Sequence, residues 1–380
     1  MLKQIDELIR IRKYLHTNPE LSGQEFRTAE YIYNNLKKTK ANEVLKISNT
    51  GVVAVFESEK AGETTLFRAD IDALPIQEEN NFEYRSVIAN VSHKCGHDGH
   101  TTILLGVAQN LSENPISRGK VILLFQPAEE NGEGAKSALA HSFFKRLVVN
   151  QVFALHNLPG FPLKEIVIKE GVFTANVISL TVKLTGKTAH AAEPEMGQNP
   201  SIAIAKIILE ANRHVNNKSI DPAFFVITAV HSHIGEEGYG VSAGLGEVHF
   251  TMRAWDKKLL SRKCKGFEKY INEVCSAEEL EVAISWTQEF NSSSNSKKAI
   301  ELISKVAERS NLSVSKLETP FKWGEDFGLF THKYDGAMFG LGAGEETPAL
   351  HTTDYDFPDE IILTGIEIFS QIIEEIHELS

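Results

Sequence analysis

The stretch HKCGHDGHTT, residues 93–102, places His93, Cys95, His97 and His100 within one short run. Imidazole and thiolate are the side chains that hold borderline metal ions. A closed structural zinc site uses four such ligands, usually from two short-spaced pairs. The remaining cysteines, Cys264 and Cys275, form no second pair of that kind. The pattern therefore predicts an open site that remote residues complete. Cys95 and His97, two apart, can enter one site from a loop. His93 and His100 are the weaker candidates, and His100, near a helix start, reads as structural. A Cys95–His97 nucleophilic pair is the lesser alternative.

Further ligand types follow each apolar run of the first half. TTLF is followed by Arg68, Asp70 and Asp72, VILLF by QPAEE with Glu129 and Glu130, and VFAL by His156. In open α/β sheets, functional groups gather at the carboxyl ends of strands. Four segments thus deliver metal-type ligands to one edge. Glu129 and Glu130 can divide labour, one ligating and the other taking a proton from water.

These residues need elements to hold them. Residues 2–16, 25–38 and 101–112 read as helices. GVVAVFES, TTLFRAD, VILLFQP and VFALHN read as buried strands, so a mixed, largely parallel sheet flanked by helices is expected. The pattern changes near 177. ISLTVKL alternates, a helix follows at 200–215, then FFVITAV and EVHFTMRAW, a helix at 258–276, and LEVAISW. That order, βαββαβ, is the ferredoxin-like unit. The chain divides into 1–176, an inserted domain 177–290, and 291–380, which rejoins the first part. NSSSNS at 291–296 reads as the linker back. Cys264 and Cys275 lie on or near the apolar stripe of the 258–276 helix and read as small core hydrophobes.

Composition excludes several functions. The 380 residues carry a net charge of −12, which repels phosphate backbones and argues against nucleic acid. No basic amphipathic segment or long apolar run suggests a membrane. With three cysteines and no signal-peptide pattern, the cytoplasm is the expected compartment. Three motif matches fail on context. GVSAG, with Ser242, follows a polar loop and precedes a strand, unlike a nucleophile elbow. NGEGAKS lacks P-loop spacing, and no helix opens after GLGAGEE.

Taken together, FRADIDALPIQE, HKCGHDGHTT, FQPAEENGEGAK, ALHNLPGFPLKEI, GKTAHAAEPEMGQNP, WGEDF and LHTTDYDFPDE resemble, in that order, the aminoacylase/carboxypeptidase-G type of metallopeptidase. The resemblance is to its amidohydrolase branch, which contains hippurate hydrolase, auxin-conjugate hydrolases and N-acetyl-diaminopimelate deacetylase. It implies a two-metal site, zinc or manganese, with Cys95 bridging. His97 and His156 would complete one metal, and Glu130 and His351 the other. Glu129 would be the general base and Asp70 would orient a ligand. Arg68 stands where sister branches use a histidine ligand. The inserted domain would be a lid that forms a homodimer, and His190 would reach the partner's site to stabilise an oxyanion. An asparagine that the family often carries in the lid is replaced within VSAGLGEVHF, and a common Asn-Pro by Thr352-Thr353. Arg253 is then the candidate for the substrate carboxylate. The implied reaction is hydrolysis of N-acyl amino acids. A dipeptidase or carboxypeptidase using the same site is the alternative, and a metal-binding regulatory protein is the non-enzyme one.

Overall fold

The computed structural model describes residues 2–379, with side chains from Ile5 onward. Contacts divide the chain into two units. The first is residues 1–173, 293–318 and 325–380, and the second is 174–292 with 319–324.

The first unit is built on an eight-stranded mixed sheet. Its centre is made by Lys120–Gln126, Thr64–Asp70, Gln151–Pro159 and Asp335–Gly344, paired in parallel in that order. These strands are buried along almost their whole length on both faces, as a parallel sheet covered by helices requires. Gly51–Glu57 and Glu43–Ile47 extend it antiparallel at one edge. Phe67 stacks on Phe153 from the neighbouring strand and meets Phe369 edge-on from the helix Ile362–His377.

The helix His97–Glu113 packs against Leu2–Thr17 and Ile362–His377. It begins four residues before the apolar periodicity does. Gly96, in the left-handed region at φ 94°, precedes it, and its carbonyl accepts from Gly99 and His100 at 2.9 and 3.1 Å. The first turn, His97–His100, is buried although it carries no apolar side chain, so periodicity could not reveal it. The chain returns to the first unit at Ser293, and the 291–296 segment is ordered there, with Ser294–Asn295 paired with Gly171–Val172. Buried Asn295 donates to Lys169 O and Met338 O and accepts from Met338 N–H.

The second unit is a four-stranded antiparallel sheet in the order Phe225–Ile234, Leu245–Ala254, Asn176–Thr185, Glu281–Phe290. With helices Ser201–Arg213 and Lys257–Ala277, the chain order is βαββαβ. One sheet face, with Leu180, Val182, Val248 and Phe250, is buried with Ile207, Phe267 and Ile271 of the helices. Asp256 caps the second helix by accepting from Leu259 N–H at 2.6 Å, a preferred N-cap arrangement.

Candidate metal centre

The parallel strands set the level of the site. Asp70 closes its strand opposite Gln126, and His156 lies near the carboxyl end of Gln151–Pro159. Glu129 and Glu130 follow Lys120–Gln126 in the chain, and Cys95 and His97 flank Gly96 at the start of the His97–Glu113 helix. Cys95, His97 and His156 bring one donor atom each within 4.8 Å of one another, as do Cys95, Glu130 and His351. Cys95 belongs to both triads. His97, Glu129 and Glu130 make a third such group.

The hydrogen bonds fix which atoms remain for a metal. His97 Nδ1 lies 3.0 Å from Asp72 O and 3.2 Å from Asp72 Oδ1. That nitrogen carries the proton, and Nε2 presents its lone pair. Nε2 is buried without a hydrogen-bond partner, and so is Glu130 Oε1, 3.8 Å away. His156 Nδ1 donates to Asn157 O at 2.8 Å, and its Nε2 faces Cys95 Sγ at 3.5 Å. Donation of the second ring nitrogen to a carbonyl or carboxylate is the usual support of a metal-binding histidine. Two orphaned buried acceptors beside a thiol are costly by themselves. The residues therefore fit a metal-holding role.

Electrostatics agree. Burial, then Glu130 and Glu129, push the Cys95 thiol well above its ordinary pKa. Burial, then Glu325, Glu130 and Asp326, raise Glu129. Burial lifts Glu130 to about 7, with His97 opposing. For His97 burial works the other way, yet Asp70 and Asp72 carry it up to about 10. A divalent cation among these groups would invert the balance, displacing protons from sulfur and imidazole.

Backbone strain marks the same place. Ala128, before Glu129, has φ 54°, and His351 has φ 66°. Non-glycine residues hold such angles only where their surroundings force them. Here Ala128 N–H donates to Glu25 Oε1 at 2.8 Å, and His351 N–H to Lys94 O at 2.7 Å.

Several contributors were not assigned a role from the sequence. Arg68 is fully buried and paired with Asp70 at 2.6 Å, Glu325 at 2.9 Å and Asp326 at 3.0 Å. Glu129, Glu325 and Asp326 form a buried acidic group behind the centre. His100 bridges Asp70 and Asn157 at 2.6 and 2.5 Å. Asp72 accepts from Glu130 N–H and Ser22 Oγ as well as holding His97. WGEDF was the available signal for Glu325 and Asp326, but nothing in it told their partners. His93 is buried with neither ring nitrogen bonded.

His190 and Arg253 belong to the second unit. His190 is exposed, on a two-residue strand paired with Val241–Ser242, and its Nδ1 accepts from Ala192 N–H at 3.0 Å. Arg253 lies on an interior strand and donates to Lys322 O at 2.9 Å.

An α/β sheet edge that gathers thiol, imidazole and carboxylate donors beside a further buried glutamate is the arrangement of a metal-dependent hydrolase. The profile of peptidase family M20/M25/M40 matches residues 66–375, and the chain belongs to that family. It is 29% identical to hippurate hydrolase of Campylobacter jejuni over 375 residues, 96% of this chain and 95% of that protein. It is 33% identical to N-acetyl-L-cysteine deacetylase of Bacillus subtilis over 337 residues, 88% of this chain and 80% of the relative. A solved Bacillus subtilis structure, described as a dinuclear metal binding peptidase from the M20 family, superposes with a TM-score of 0.81 at 26% identity, covering 100% of this chain and 99% of that one. Among the described residues, no helix is long and apolar enough to cross a membrane.

Proposed function

We propose that the chain hydrolyses the amide bond of N-acyl amino acids, with Glu129 as the proton-transferring group. Two divalent ions, held by Cys95, His97 and His156 and by Cys95, Glu130 and His351, would polarise the substrate carbonyl and lower the pKa of water from about 15.7 to roughly 7. Thiolate and imidazole suit zinc, and the carboxylate also admits manganese.

The remaining work belongs to side chains of this protein. Glu129 takes a proton from the attacking water and returns it to the leaving amine. Asp72 holds the His97 ring by Nδ1 and the backbone of Glu130 by its N–H, so one carboxylate aligns two ligands. Asp70, fixed by Arg68 and His100, stands 3.6 Å from His97 Nε2 and orients that side of the centre. Arg253 is assigned to the substrate carboxylate. His190 is assigned to oxyanion stabilisation across a homodimer of the second unit. We place the protein in the cytoplasm, in keeping with its three free thiols.

The observation that carries this reading is the sharing of Cys95 between two donor triads with Glu129 beside them. The test is amine release from N-acetyl, N-benzoyl and N-succinyl amino acids and from dipeptides, with zinc or manganese added. Glu129→Gln should lower turnover by about 10²–10⁴ while metal content is unchanged. Wild-type turnover in that variant would remove the assigned base. Cleavage of dipeptides alone would favour the peptidase reading. Bound metal with no turnover on any amide would favour a non-catalytic role.

A further inference from the structure

The geometry points to a second, surface-exposed binding site for a divalent transition-metal ion, of the zinc class, on the sheet of the second unit. It is built by His231, Glu247 and His249, with His233 beside them.

The sheet's two faces differ. Val248 and Phe250 of the strand Leu245–Ala254 are buried with the helices, so Glu247 and His249, one position out of step, face the other way. The neighbouring edge strand, Phe225–Ile234, begins in step. Ala229 opposes buried Phe250, and Thr228 opposes Thr251. A bulge then inserts Val230, and pairing resumes with His231 opposite His249 and His233 opposite Glu247. A one-residue slip exchanges the faces of a strand, and a bulge re-aims the side chains beyond it. Without the extra residue, His231 and His233 would turn toward the helices. With it, three imidazoles and one carboxylate form a two-by-two array on the open face.

Two imidazoles share one carboxylate oxygen. His231 Nε2 and His249 Nε2 both approach Glu247 Oε1, at 3.5 and 3.6 Å. For ring nitrogens that is too long for a good hydrogen bond. It is close to the edge of a tetrahedral zinc shell, about 3.4 Å for ligands bound at about 2.1 Å. His249 Nε2 is shielded from solvent and has no hydrogen-bond partner. The two rings meet edge-on, with centroids 5.0 Å apart, and both must turn inward for their nitrogens to reach one ion. His233, directly across from Glu247, supplies a fourth ligand or leaves that position to water. Lys183 Nζ, 4.0 Å from Glu247 Oε2, competes for the carboxylate and weakens the site. All four residues belong to the second unit, and none of them is among the donors of the buried centre.

Zinc content of the full-length protein, dialysed against micromolar free zinc, tests the inference. Wild type should carry one more zinc per chain than His231→Asn/His249→Asn, while both hydrolyse substrate equally. Glu247→Gln should bind the additional ion more weakly. Equal zinc content in wild type and the double variant would overturn the site. If the double variant does not fold, acylation of wild-type histidines by diethylpyrocarbonate, mapped by mass spectrometry, decides instead. Zinc should protect His231 and His249 but not His214, and equal labelling with and without zinc would overturn the site.

Discussion

At the scale of residues, the centre is a balance of buried charge. Arg68 is the buried cation that Asp70, Glu325 and Asp326 share. Replacing it with Met would remove the ion-pair partner of this buried acidic group. The expected cost is about 3–5 kcal/mol, read as a lower urea midpoint. Asp72→Ala should act differently. It frees the His97 ring and the Glu130 backbone, so metal affinity should fall by about 10–100-fold with folding retained. Affinity measured by competition with a chromophoric chelator checks this, and an unchanged value would show that Asp72 does not set the ligand geometry. Residue types pointed to the place: the cysteine and histidines of HKCGHDGH are buried together. Their supporting partners were not legible, because a buried Asp70–His100–Asn157 chain joins residues far apart in sequence.

At the scale of elements, a few backbone angles decide where ligands stand. Gly96 separates Cys95 from His97 at φ 94°, and a Cβ there would meet Asn157 Oδ1 at 2.6 Å and Tyr355 Oη at 2.9 Å. Gly96→Ala should cost about 1–2 kcal/mol from its backbone alone, with more from the clash. Stability and metal content should fall together, and loss of neither would mean the loop is more forgiving than its geometry indicates. The first helix is tied to the site by His16, whose ring bonds Asp98 and Glu78 at 2.9 Å each. Burial opposes protonation of His16, but these carboxylates raise its pKa to about 9. An unfolded histidine titrates near about 6.5. The protonated ring therefore contributes its full stability below that pH and loses it as pH rises through about 9. Thermal midpoints should drop between pH 7 and pH 10, and His16→Gln should flatten that dependence. An equally steep profile in the variant would assign the loss to other groups.

At the scale of the whole molecule, the second unit presents an edge strand, Phe225–Ile234, paired on one side only. It carries exposed Val230, and Ile202 and Leu209 are exposed on the helix Ser201–Arg213. Unpaired edges invite another strand, and exposed apolar groups mark contact surfaces. These features support the proposed homodimer. Sedimentation should give twice the chain mass, and Val230→Asp should shift it toward monomer. A monomeric wild type would remove the dimer and, with it, the role assigned to His190.

The sequence by itself determined the kind of chemistry and the class of fold. Apolar runs and their alternation are local, and local periodicity reports which side of an element is buried. It also placed donor residues after successive strands, since parallel strands end at one edge. Only the tertiary structure decided the rest. The helix at His97 starts earlier than its apolar stripe because the polar side chains of its first turn are buried against Asp72, Asp70 and His16. The segment around Asn295 is a built crossing because its amide satisfies backbone groups at Lys169 and Met338, which no local pattern announces. The bulge at Val230 changes which face His231 and His233 occupy, although the strand's composition is the same either way. In each case the deciding contact joins residues distant in the chain, and sequence spacing holds no record of it.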